Sequence, residues 1–246
     1  MAAKWGRKFR YDDASAASRY RPSMILATRL KAAYAGLALL DTALSASTRP
    51  AAHQARFLTK PLLMPLLSAS LATTPGSSSA RVPVLAAQAA GWVGDVALLS
   101  EERKPFVAGT TAFGVGHLAY LAAFVPRRRR EPALVADPRA RTLAAVWAVS
   151  SPMVAWNARR SGMAPVVATY SALLTSMVVA ATRLDPAQPP AGRRLLAAGA
   201  LLFLASDSTL GLRKFVLDDP SPWVEGAVMA SYTSAQLLLS EGAGRL

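Results

Sequence analysis

The chain has 246 residues, 28 Lys and Arg against 14 Asp and Glu for a net charge of +14, and 52% hydrophobic residues. The absence of Cys excludes disulfides, Cys-ligated zinc and thiol nucleophiles. The basic excess does not point to a nucleic-acid partner, because Lys and Arg punctuate apolar stretches instead of forming one face interleaved with aromatics. A mean hydropathy of +0.27 is low for a membrane protein. Its cause is the Ala, Gly, Ser and Thr content of the apolar stretches, and these are the small residues that let helix backbones approach closely in lipid.

Taken in order, a basic leader over 1–31 (Lys4, Arg7, Lys8, Arg10, Arg19, Arg21, Arg29, Lys31) carries no apolar core followed by a cleavage site. The first apolar segment, 32–47, holds one charge, Asp41. The second, 57–73, opens on Lys60-Pro61, and a loop with Pro75-Gly76 leads to the third, 82–100, interrupted only by Asp95. Glu101 to Lys104 form a polar turn before the fourth, 105–125, which contains His117. Arg127 to Arg130, between Pro126 and Pro132, read as a solvated loop. The fifth segment is 142–158, and Asn157 to Gly162 turn the chain into the sixth, 163–182. A Pro-rich loop (Asp185, Pro186, Pro189, Pro190) precedes the seventh, 195–212, broken by Asp207, and the eighth runs 223–240.

A membrane-crossing helix takes about 17–25 mainly apolar residues, and most of these windows reach that length. Core helices of a water-soluble protein would show charges on an outward face every turn or two, and these do not. The expected fold is therefore all-α: one transmembrane bundle of eight helices over 32–240, with a short tail at 241–246. If the N-terminus is inside, 19 of the basic residues lie on the inner side and 9 on the outer, which places both termini in the cytoplasm. Trp156 and Trp223 stand at segment ends like interfacial anchors, whereas Trp92 and Trp147 do not. The Ala- and Arg-rich usage suggests a bacterial plasma membrane.

Ionisable groups within hydrocarbon are costly, so Asp95 and Asp207 are the leading functional candidates. In the expected orientation each lies five or so residues from the outer end of its helix, roughly 7–8 Å deep. Lys60 and Tyr170 reach the same layer. Ser206 and Ser208 flank Asp207 and could donate to it, His117 and Tyr120 share a helix face, and Tyr232 with Gln236 form an i, i+4 pair. Each also has a structural reading, as an ion pair or as interhelical hydrogen bonding. Asp41, near the end of the first segment, is weakly placed, and Arg127 to Arg130 serve as topology determinants. His53 and His117 are too few for a His-rich metal site, and no metal or cofactor is expected.

Several local patterns, in order, resemble the YhhN family of membrane proteins. They are Lys60-Pro61, Gly94-Asp95, Phe113-Gly-Val-Gly-His117-Leu-Ala-Tyr120 with Phe124, Tyr170 with Met177, Gly199-Ala-Leu-Leu-Phe203-Leu-Ala-Ser206-Asp207-Ser208, Phe215, and Tyr232 with Gln236. The leader and first segment match less clearly. The resemblance implies a lysoplasmalogenase: hydrolysis of the vinyl ether bond of a lysophospholipid to a fatty aldehyde and a glycerophospho-alcohol, with a lysophospholipid and the bilayer as partners. An enol ether needs a protonated carboxyl to deliver a proton to carbon, and a carboxylate to stabilise the resulting cation and activate water. Asp95 and Asp207 fit these roles, with Lys60, His117, Tyr120, Tyr170, Ser206, Ser208, Tyr232 and Gln236 binding or orienting. The alternative function is a small transporter or lipid-binding protein that uses the same Asp pair as a proton relay.

Overall fold

The computed structural model describes residues 2–76, 78–100 and 102–246, with side chains described from Pro22 onward; the leader's basic side chains up to Arg21, and Glu101 of the polar turn, lie outside the described residues. Among the described residues there are eight α-helices: α1 (Ala2–Ser45), α2 (Pro50–Thr73), α3 (Arg81–Ala97), α4 (Arg103–Phe124), α5 (Pro138–Ala158), α6 (Ala164–Thr182), α7 (Pro190–Phe215) and α8 (Pro222–Ala243). Five of them have Pro at the first or second helical position, where a missing N–H leaves nothing unsatisfied and the fixed φ suits the helix. Four stretches are long and apolar enough to cross a membrane: Pro22–Ser45, Arg103–Arg127, Ala164–Thr182 and Pro190–Phe215. The first begins ahead of the expected window, because the helix runs on continuously from the leader.

Consecutive helices pair as hairpins, α1 with α2, α3 with α4, α5 with α6 and α7 with α8. Contacts of α1 with α8, α2 with α3, α4 with α6 and α6 with α7 join the hairpins into one bundle. α5 is the peripheral helix. It packs mainly on α6, and only Ala140, Ser151 and Ala158 are buried along its length. The core consists of Leu63, Met64, Leu67, Val84, Tyr120, Phe124, Met177, Leu196, Phe203 and Leu239, all nearly inaccessible. Outward faces are also apolar: Leu39, Leu58, Val82, Val149 and Trp223 are each more than 70% exposed. In water such surfaces drive aggregation; in lipid they are the expected exterior, and Asp41, Lys60, Gln88, Asp95, His117 and Gln236 sit inside it.

Small residues set the helix spacing. A Cβ on Gly199 would stand 3.0 Å from the Ala235 carbonyl, and one on Gly242 would stand 2.6 Å from Leu196, so α7 and α8 approach as only Gly permits. A Cβ on Gly94 would lie 2.5 Å from the Phe113 ring, which explains the Gly beside Asp95.

Prolines inside α2 are handled individually. Pro65 cannot donate to the Pro61 carbonyl one turn earlier, and the Trp92 indole of α3 donates to it instead at 2.9 Å. That bond accounts for a Trp away from a helix end.

The basic loop after α4 does more than mark topology. Arg129 N donates to the Arg183 carbonyl and Asp185 N to the Arg127 carbonyl, each at 2.8 Å, which ties this loop to the one after α6. Fully buried Asp137 caps α5 by accepting from Arg139 N at 2.9 Å, pairs with Arg129 at 2.7 Å, and also takes Arg183. Burial opposes the charge on Asp137, but the Arg129 and Arg139 hydrogen bonds and the two guanidinium charges outweigh it. They hold its carboxyl below the usual carboxylate range.

Two outcomes are expected. Gly94→Ala should destabilise the protein by about 1–3 kcal/mol through displacement of Phe113, and Phe113→Leu in the same chain should recover part of the loss in thermal melts in detergent. A carboxyl with a lowered native pKa contributes stability that is complete above its unfolded value and lost as pH falls through the native one. The melting-temperature gap between wild type and Asp137→Asn should therefore be full at neutral pH and close on acidification; a gap independent of pH would contradict the ion-pair account.

Candidate active site

The C-terminal ends of α1, α3 and α7 meet the N-terminal ends of α2, α4, α6 and α8 at one end of the bundle. Ion pairs among these ends define the arrangement: Arg56 of α2 reaches Asp41 of α1 at 3.5 Å and Glu225 of α8 at 3.2 Å, and Glu225 also takes Arg213 of α7 at 3.2 Å. Beneath them opens a cavity of about 440 Å³ lined by residues from α2 through α8. Its walls are mostly apolar, and both Asp95 and Asp207 face it. Two carboxylates separated by more than a hundred residues thus share one cavity. Asp95 is almost fully buried, and Asp207 is half-buried.

Each carboxylate is held by its own chain of hydrogen bonds. Tyr120 donates to Gln236 Oε1 at 2.8 Å, the Gln236 amide faces the Tyr232 hydroxyl at 3.5 Å, and Tyr232 donates to Asp95 Oδ2 at 2.7 Å. On the other side Tyr170 donates to Asp207 Oδ2, and His117 Nε2 lies 3.0 Å from the Tyr170 hydroxyl. With the Tyr170 proton directed at Asp207, Nε2 is the protonated nitrogen of His117. Its Nδ1 is then a bare acceptor, buried with no hydrogen-bond donor. Lys60 Nζ stands 3.8 Å from Asp95 Oδ1, whereas Asp207 has no ion pair among the described residues. The two carboxylates therefore differ in surroundings, one beside a cation and one beside a neutral tyrosine.

Aromatic rings behind the carboxylates fix these donors. Phe113 and Phe203 meet Tyr232 edge to face with centroids 5.8 and 5.6 Å apart, and Phe203 meets His117 at 5.1 Å. These contacts are favourable in themselves and leave the rings little room to turn. Phe113 and Phe203 carry no polar atom, and their role is visible only in three dimensions.

Of the residues expected from sequence, Lys60, Asp95, Tyr170, Ser206, Asp207, Ser208 and Tyr232 line the cavity, and His117, Tyr120 and Gln236 stand behind it. Two expectations change. Ser206 spends its hydroxyl on the Val228 carbonyl at 3.0 Å, tying α7 to α8 instead of serving Asp207, and Ser208 is exposed on the cavity wall. His117 and Tyr120 share a helix but serve different carboxylates. Sequence reasoning passed over Asp41, Arg56 and Glu225. Asp41 is fully buried and accepts from Thr59 at 2.6 Å. The usable signal was Arg56 one helical turn before Lys60 on the same face.

Fold and site together define a helical membrane protein with a carboxylate-bearing cavity at one end of its bundle. The model of the YhhN family matches residues 55–243, and the chain belongs to the YhhN family. The matched region contains both relays, and all of α1 lies outside it. No solved structure matches the chain.

The relay geometry predicts a coupling. Tyr170→Phe leaves the buried His117 Nε2–H without an acceptor and should cost about 1–3 kcal/mol of stability. Combining it with His117→Leu, which removes the orphaned donor, should cost less than the two single changes added together; strict additivity in detergent melts would contradict the bond.

Proposed function

We propose that this protein is a membrane-embedded hydrolase of the vinyl ether bond in lysoplasmalogens, releasing a fatty aldehyde and a glycerophospho-alcohol. The observation that carries this reading is the placement of Asp95 and Asp207 in one largely apolar cavity with unlike partners. Acid-catalysed enol ether hydrolysis requires such a difference between two carboxyl groups. YhhN family membership supports the same chemistry.

In this mechanism Asp95, charged beside Lys60, is the carboxylate, and Asp207, with a tyrosine and no paired cation, carries the proton. Asp207 delivers that proton to the β-carbon of the vinyl ether, and the C=C electron pair forms the new C–H bond. The ether oxygen shares the positive charge left on the α-carbon, which Asp95 stabilises. Water then adds to the α-carbon as Asp95 takes its proton. The hemiacetal collapses as Asp207 takes its hydroxyl proton and Asp95 returns a proton to the glycerol oxygen; the bond from the α-carbon to that oxygen breaks, it leaves as a hydroxyl, and both carboxyls regain their starting states. One water is consumed. His117 and Tyr170 hold Asp207, and Tyr120, Gln236 and Tyr232 hold Asp95. In our reading all eight helices cross a plasma membrane with both termini inside, so the carboxylates open toward the outer side.

Purified protein in detergent, given lysoplasmalogen and separately a saturated lysophospholipid, should release aldehyde from the first alone. Asp95→Asn and Asp207→Asn should each lower turnover by about a hundredfold or more. Tyr170→Phe should lower it less. Full turnover in both folded Asn variants would overturn the mechanism, and no aldehyde from the wild-type protein would overturn the function.

A further inference from the structure

The mechanism leaves the ion-pair cluster at the cavity mouth unused, and its central residue is incompletely partnered. Arg56 lines the cavity and is only 7% exposed. Nη1 donates to Glu225, but Nε and Nη2 are buried with no hydrogen-bond acceptor. Asp41 does not fill that need. One of its oxygens accepts from Thr59, and the other, 3.5 Å from Nη2, makes no hydrogen bond. A guanidinium is a planar fork suited to two parallel bonds with a tetrahedral oxyanion, and desolvated N–H groups left open are costly. Lys60, Arg213 and Lys214 bring three further cations to the same cavity wall.

Position adds to charge. Arg56 and Lys60 lie on one face of α2, one turn and about 6 Å apart along the axis. Lys60 contacts Asp95, so Arg56 stands about one helical turn from that pair, toward the start of α2. That distance is the length of a glycerol backbone: from the sn-1 ether oxygen to the sn-3 phosphorus of a lysophospholipid is about 6 Å.

We propose that Arg56, supported by Lys60 and Lys214, binds the phosphodiester of a lysophospholipid and thereby places its sn-1 ether between Asp95 and Asp207. The proposal rests on the hydrolase reading for the identity of the lipid. Glu225 holds Nη1 and Asp41 stands 3.5 Å from Nη2, so both are positioning residues for the guanidinium.

The test is binding, which does not depend on turnover. The probes are a 1-O-alkyl-glycerophosphoethanolamine, whose saturated ether resists hydrolysis, and the matching 1-O-alkylglycerol, which lacks the phosphate. Thermophoresis with the full chain in detergent should show the phospholipid bound about tenfold or more tighter. Arg56→Gln should erase this preference and leave alkylglycerol affinity unchanged. Asp41→Asn with Arg56→Gln removes the pair together and leaves no orphaned carboxylate; it should give the same result if the single variant does not fold. Equal wild-type affinity for the two probes, or a preference that persists without Arg56, would overturn the proposal. So would inorganic phosphate displacing the phospholipid at equal concentration, since the site would then recognise free phosphate. A phosphate preference without aldehyde release from lysoplasmalogen would remove the hydrolase reading and leave the anion site standing; the reverse result would do the opposite.

Discussion

Burying a carboxyl group in an apolar bundle is unfavourable unless its oxygens find donors, and much of this structure is arranged to supply them. Asp41, Asp95 and Asp137 are all almost inaccessible, and each is met by a hydroxyl, an indispensable backbone N–H or a basic side chain. The donors come from neighbouring helices: Tyr232 of α8 for Asp95, Thr59 of α2 for Asp41, Tyr170 of α6 for Asp207. Each bond therefore also selects which helices stand together. Apolar packing against lipid does little to distinguish one helix neighbour from another, and polar pairs of this kind do.

The bundle has two unlike ends. Where α5 begins, Arg129 and Arg183 converge on Asp137 and join two loops, each guanidinium keeping an unpartnered Nε. At the opposite end the charges surround a cavity and Arg56 keeps open donors. The first arrangement reads as structural and the second as chemical, even though both consist of Asp and Arg. The difference is not the residue types: one cluster closes on itself between two loops, and the other borders a cavity that also holds Asp95 and Asp207.

Much of this was legible in the chain. Eight apolar windows became eight helices, with Asp95, Asp207, Lys60, Tyr170 and Tyr232 facing one cavity. Charges are rare in such windows, so each one stands out. What could not be read was pairing across helices. His117 and Tyr120 are neighbours on one helix face and part company in the fold, because α6 approaches one and α8 the other. Ser206 sits beside Asp207 in sequence, yet its hydroxyl meets α8. Asp41 looked peripheral because its partners, Thr59 and Arg56, belong to the next helix. The prominence of Phe113 depends on Gly94, and a ring set into a missing side chain leaves no trace in a hydropathy pattern.

The indole of Trp92 bonded to the Pro61 carbonyl has a further effect. Pro61 follows Lys60 directly, and Trp92 lies one turn before Asp95. The bond is thus a crossbar between α2 and α3 at the level of the Lys60–Asp95 pair. Lysine is a long and mobile side chain, poorly suited to holding a charge at a fixed distance. Here the separation is gauged by two backbones fastened together beside it, and the carbonyl used as the fastening point is one that a proline has released from the helix.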